Sequence, residues 1–133
     1  PIYLILLQVV YSNVTSYMKN KIPIEIIQDN KKRILKLVFN DDSEDFSFEF
    51  LRAYTPSAEA LGHGSEKNRV FPIDISNITI DSIEQVGNYA IKIIFSDGHD
   101  TGIYSWDYMS QLSKNKIILI NRYKEFKNNN GKK

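Results

Sequence analysis

His63 and His99 are the only two histidines in the chain, and each stands among residues that could share chemistry with it. His99 lies between Asp97 and Asp100, and His63 follows Glu59 in the stretch Gly62-His63-Gly64. Two imidazoles with a carboxylate form a donor set for zinc or ferrous iron, which makes His99, His63, Asp97 and Asp100 the candidate metal ligands. A plainer reading has His99 ordering its own turn through Asp107 or Tyr104, with His63 in solvent. A hydrolytic reading would use Ser57 or Ser105 with a histidine and an aspartate, but neither serine stands in a nucleophile elbow. Gly62-His63-Gly64-Ser65 lacks the glycine spacing and the lysine of a P-loop, so no residue is assigned a catalytic role. Arg52, Tyr54, Tyr104, Trp106 and Tyr108 combine arginine with aromatic rings, the composition favoured at the centres of protein interfaces. The expected binding surface joins Arg52, Tyr54, Pro56, Ser57, Glu59 and His63 to His99, Tyr104, Trp106 and Asp107. The competing reading puts Trp106 and alternate tyrosines in the core and pairs Arg52 with Asp107 or Glu59.

These residues need elements to hold them. Ala90-Ile91-Lys92-Ile93-Ile94-Phe95 reads as a strand with one face in a core. Asp97-Gly98 offers the positive backbone angles of a tight turn, and Thr101 to Ser105 reads as the returning strand. Ser105 is a plausible N-cap for a helix through Trp106, Met109 and Leu112, with Asp107 suited to the helix dipole. Earlier, Ile34-Leu35-Lys36-Leu37-Val38-Phe39 echoes the Ala90–Phe95 strand, and an acidic turn follows both. Phe46-Ser47-Phe48-Glu49-Phe50-Leu51 alternates at period two, the pattern of a half-buried strand. Thr55 before Pro56 predicts a helix start that Gly62 ends. Ser65 to Pro72 reads as a polar connector, and Ile73 to Ile75 and Ile78 to Ile80 as short strands. Lys116 to Tyr123 suits either a helix or a last strand. The predicted fold is α+β and two-layered, an antiparallel sheet built from two similar β-hairpins with short helices on one face.

A chain of 133 residues has room for one domain with one modest core. Residues 18–127 are read as that domain, 1–17 as an N-terminal extension or an extra edge strand, and 128–133 as a polar tail. Ile2 to Val10 is apolar but too short to span a bilayer, and no basic region precedes it, so neither a membrane anchor nor a signal peptide is expected. The formal net charge of +1 from 17 basic and 16 acidic residues argues against an electrostatic nucleic-acid binder. The absence of cysteine excludes disulfides, thiolate metal ligands and a cysteine nucleophile. A cytoplasmic protein is expected, with no nucleic-acid or membrane partner.

Three segments together carry a resemblance. They are Leu51-Arg52-Ala53-Tyr54-Thr55-Pro56-Ser57-Ala58-Glu59 with Gly62-His63-Gly64, Val86-Gly87-Asn88-Tyr89-Ala90, and the run Ser96 to Tyr108. Over residues 22–113 the chain resembles the gamma-butyrobetaine hydroxylase-like N-terminal domain family, long treated as a domain of unknown function, and looks like a stand-alone bacterial member. In the carnitine-synthesis hydroxylases this domain holds a structural zinc through three cysteines and one histidine, while the catalytic iron belongs to a separate domain. The resemblance places those ligands at Thr55, Ser57, Ala60 and His99, so the zinc site of three cysteines and one histidine cannot form here. Family members also occur fused to Mrp-type P-loop carriers linked to iron–sulfur cluster assembly. The resemblance thus implies a small non-catalytic adaptor or protein-binding domain, accessory to iron–sulfur or redox-enzyme maturation. Its partner would be a Mrp-type carrier or a redox enzyme. The alternative is a zinc- or iron-binding domain using His99 and His63 with nearby carboxylates.

Overall fold

The computed structural model describes residues 2–6, 22–61 and 66–130. Two antiparallel sheets form. The first has four strands in the order β1 (Ile2–Leu6), β2 (Glu25–Asp29), β3 (Ile34–Val38) and β4 (Ser43–Ser47). The second has three, β5 (Ile80–Val86), β6 (Ala90–Phe95) and β7 (Gly102–Ser105). The fold class is α+β as expected, and the two echoing hairpins are β3–β4 and β6–β7. Each hairpin belongs to its own sheet, and the strands each gains at its flank come from outside the repeat. Ile2–Leu6 pairs with β2 from Leu6↔Glu25 to Ile2↔Asp29, so the start of the predicted extension is an edge strand. Residues 7–17 of that extension lie outside the described residues.

Both sheets feed one core. Leu35, Leu37 and Phe46 enter it from the first sheet, and Ile91, Ile93 and Phe95 from the second. Gln28 stitches the sheets together by donating its side-chain amide to the Ile80 carbonyl at 3.0 Å.

The segment read as one strand from Phe46 to Leu51 instead changes structure in its middle. β4 ends at Ser47, whose hydroxyl accepts the Phe50 N–H at 3.0 Å and so caps α1 (Phe48–Ala53). Glu49 in the first turn and Arg52 in the last suit the helix dipole. The aromatic alternation fits a strand, but Phe46, Phe50 and Tyr54 also recur every fourth position, and with a serine cap supplied the helical period wins. Phe46 and Phe50 stack with centroids 6.4 Å apart.

The next helix, α2 (Ala58–Leu61), starts later than Thr55-Pro56 predicted. Its cap is Ser57, whose hydroxyl accepts the Ala60 N–H at 3.3 Å, while the Thr55 hydroxyl is used elsewhere. Ile73 to Ile75 forms no strand. Asp74 there takes a left-handed φ of 58°, which no regular strand accommodates.

After β7 the chain turns directly into α3 (Trp106–Lys114), capped as expected by Ser105, which accepts the Tyr108 N–H at 3.0 Å. Trp106, Met109 and Leu112 face the core at helical spacing. The final helix, α4 (Lys116–Asn130), resolves the helix-or-strand alternative and runs on through residues 128–130. It is moored by Glu49, which accepts from the Tyr123 hydroxyl at 2.8 Å and from Lys127 at 2.9 Å. Among the described residues no helix is long and apolar enough to cross a membrane.

Candidate functional site

The proline-led segment and the histidine-bearing turn meet. Arg52 in the last turn of α1 donates from Nε to Asp97 Oδ2 at 2.8 Å, across 45 positions of sequence. Asp97 Oδ1 accepts the His99 backbone N–H at 3.0 Å, so both carboxylate oxygens are engaged. The β6–β7 loop is wider than a two-residue turn: Gly98 alone of its residues takes a positive φ, 88°, and Phe95 N–H reaches the His99 carbonyl at 3.0 Å. That width carries the imidazole back over the sheet, where His99 Nε2 and Thr55 Oγ1 share a hydrogen bond of 2.9 Å.

Thr55 is fully buried. Its hydroxyl also lies in hydrogen-bonding reach of the Tyr104 phenol, which itself donates to the Leu51 carbonyl. The result is a polar chain running from the loop surface at His99 to the end of α1. Gly102 makes room for it, because a Cβ there would lie 2.5 Å from Thr55 Oγ1.

Burial raises the Asp97 carboxyl, but hydrogen bonds from the His99 N–H and the Arg52 guanidinium outweigh it and hold the group below its usual range. Tyr104, wholly enclosed, is pushed well above the ordinary phenol range by burial.

A second clamp holds the same segment from the other side, and nothing in the local sequence pattern announced it. Arg69 lies in the stretch read as a polar connector, yet its side chain is only 2% exposed. It donates from one terminal nitrogen to the carbonyls of Ala53 at 3.2 Å and Thr55 at 2.7 Å, and from the other to the Tyr108 hydroxyl at 3.0 Å. Glu66 meets it with both carboxylate oxygens, at 2.8 and 2.6 Å, and its guanidinium carbon lies 5.0 Å from the centre of the Tyr54 ring. Burial works against the charge, but the hydrogen bond to Glu66 together with the electrostatic pull of Tyr108, Glu66 and Tyr54 outweighs it and holds the guanidinium above its ordinary range. The Tyr108 hydroxyl passes the contact on to the Tyr54 carbonyl at 2.7 Å. Burial pushes Tyr54 and Tyr108 up to about 12 each, although Arg69 pulls the other way.

The aromatic half of the expected surface lies inside. Tyr54 and Tyr104 are fully buried, Trp106 and Ser57 nearly so. Trp106 donates its indole N–H to the Asn88 carbonyl at 2.8 Å, and Tyr54 its hydroxyl to the Leu119 carbonyl at 2.6 Å. These rings brace the segment from below and offer little to a partner. Arg52, Pro56 and His99 are half-buried at the surface, and Asp97, Asp100 and Asp107 are exposed. Arg52 pairs with Asp97, and the His99 ring shares a hydrogen bond with Thr55. His63 and the Glu59 side chain lie outside the described residues.

The zinc positions implied by the family do not fit a metal. Thr55 spends its hydroxyl on the imidazole, Ser57 on a helix cap, and Ala60 offers only a methyl group. Hydroxyls are poor substitutes for thiolates at zinc. Among the described residues no group of three or more histidine, aspartate or glutamate side chains is placed to hold a metal ion.

The comparisons with known proteins agree with this architecture. The gamma-butyrobetaine hydroxylase-like, N-terminal family profile matches residues 26–110. A crystal structure of a protein of unknown function from Acidithiobacillus ferrooxidans, assigned to the DUF971 family, is similar at 28% identity and a TM-score of 0.57, covering 69% of this chain and 92% of that one. Two structures solved in solution by NMR are also similar. One has 38% identity, a TM-score of 0.65 and coverage of 78% and 82%; the other has 43%, 0.60, and 71% and 70%. No curated protein matches the sequence. With the profile spanning both hairpins, α1 and the Thr55–His99 contact, the chain belongs to the gamma-butyrobetaine hydroxylase-like N-terminal domain family.

Proposed function

We propose that this protein is a non-catalytic binding module that docks on another protein through the face where Arg52, Pro56, Asp97, His99 and Asp100 come together. The observation that carries this reading is the Arg52–Asp97 contact at 2.8 Å. It joins two segments distant in sequence into one polar patch on a rigid, aromatic-braced base. A patch held this way loses little freedom on binding, which favours recognition. Arginine beside a half-exposed ring is also a composition found at interface centres.

The partner is a Mrp-type P-loop carrier or a redox enzyme, in an accessory role in iron–sulfur or redox-enzyme maturation. The support for this choice is the family's association with such carriers. Titration calorimetry of the purified chain into a purified Mrp-type carrier tests it. Saturable binding that weakens at least about tenfold in Arg52→Ala and His99→Ala supports the reading, in line with loss of a central contact. No binding, or equal affinity in the variants, overturns it. Stoichiometric zinc or iron in the wild type that is lost in His99→Ala overturns it in favour of a metal-binding domain.

A further inference from the structure

The second sheet ends in an uncovered strand. Among the described residues β5 pairs only with β6, and no hydrogen bond or ion pair reaches residues 81–86 from any other helix or strand. Asp81, Ser82, Glu84 and Gln85 are exposed, and Ile83 and Val86 are half-exposed. The edge of the first sheet is treated differently: Lys116 covers β4 by donating to the Asp45 carbonyl at 2.6 Å.

The register shows which backbone groups of β5 are free. Ser96 N–H reaches back to the Thr79 carbonyl, while Phe95 bonds on the β7 side, so the β6 residues that bond β5 are Ile94, Lys92 and Ala90. Their partners are Ser82, Glu84 and Val86. Alternation then aims the N–H and C=O groups of Ile83 and Gln85 away from the sheet. Such groups are a template for an added strand.

Charge selects what can be added. β5 carries Asp81 and Glu84 and no basic residue, and neither carboxylate forms an ion pair among the described residues. A second copy pairing antiparallel about Ile83 would gather four carboxylates along one ribbon. The bulge between Ile80 and Ser82 further spoils that symmetric match. Acid and bulge together discourage self-pairing and leave the edge complementary to a cationic strand.

We propose that β5 is an acceptor edge for an antiparallel strand contributed by a basic, extended peptide segment with lysine or arginine at alternate positions. This site is independent of the Arg52 face.

The test is an amide NMR titration of the full chain with a peptide of alternating lysine and valine. The expected result is shifts centred on Ile83 and Gln85 that fade as salt rises. Reversal in Asp81→Lys with Glu84→Lys should weaken this peptide at least about tenfold and admit a peptide of alternating glutamate and valine. Arg52→Ala should leave the binding unchanged, which separates this site from the face proposed above. Shifts centred elsewhere, indifference to the charge reversal, or no shift at millimolar peptide overturns the proposal. So does sedimentation showing a dimer that Glu84→Lys alters, which would make a second copy the occupant.

Discussion

Replacing Arg69 tests whether the fold depends on a cation hidden where the sequence reads as connector. In Arg69→Met the carbonyls of Ala53 and Thr55 lose their side-chain donor. Each buried acceptor left unmade costs about 1–3 kcal/mol. The contact with the Tyr54 ring adds about 0.5–2 kcal/mol. Glu66 is 44% exposed and returns to water at little cost, and methionine restores part of the packing. The net expectation is a loss of about 3–5 kcal/mol, a large share of the roughly 5–15 kcal/mol that holds a domain folded. Arg69→Lys keeps the charge but cannot span the same acceptors, so it should fall between the wild type and Arg69→Met. Glu66→Gln, which touches a partly solvated pair, should cost no more than about 1 kcal/mol. Urea unfolding followed through Trp106, the single tryptophan and a buried one, reads all three. At an m-value of about 1–3 kcal/mol/M the Arg69→Met midpoint should drop by roughly 1–5 M. A loss below about 1 kcal/mol, or equal losses in Arg69→Met and Glu66→Gln, refutes the assignment of Arg69 as the clamp.

Three further outcomes are expected. Gly102→Ala must displace Thr55 and should cost about 1–3 kcal/mol through strain and the lost contact to His99, read by thermal unfolding and by a shift of the His99 ring resonances; an unchanged ring signal would contradict the geometry. The Asp97 carboxyl is depressed in the folded chain, so its stabilisation is complete above the unfolded value of about 3.9 and disappears as pH falls through the lower folded value. Acid unfolding below about pH 4 should therefore be shallower in Asp97→Asn, and identical acid limbs would count against the latch. Tyr54 and Tyr108 are raised to about 12, above the unfolded value of about 10, so their contribution is intact below pH 10 and is lost as pH rises toward 12. Ultraviolet titration should show these phenols ionising only with alkaline unfolding, and early, reversible ionisation of all eight tyrosines would refute their burial.

Much of the second hairpin was legible because its signals are local. The β-branched run from Ile91 to Ile94 fixes a strand, Ser105 caps the helix that follows, and Trp106, Met109 and Leu112 share a helical face. The first hairpin was legible up to Ser47. Beyond it, strand and helix periods coincide on the same phenylalanines, and only the serine's hydrogen bond separates them. Fold class and the echo of hairpins came from pattern, while the division into two sheets depends on pairings that no window of sequence contains. The site divides in the same way. That the Arg52–Pro56 segment and the Asp97–His99 loop belong together came from the resemblance and not from spacing. The atoms that join them lie 44 and 45 positions apart, and no local periodicity encodes such contacts. Arg69 was missed because burial of a charged residue depends on acceptors donated by another segment, here the carbonyls at the end of α1.

The bond between Thr55 and His99 has a consequence for where this chain can work. It fastens the loop to the helix end with a hydroxyl and an imidazole, at two of the positions where the resemblance implies zinc ligands. Such a clasp closes as the polypeptide folds, from groups the chain itself carries. Peroxide has no thiol here to attack. The link between loop and helix end is thus made by two side chains of the polypeptide alone.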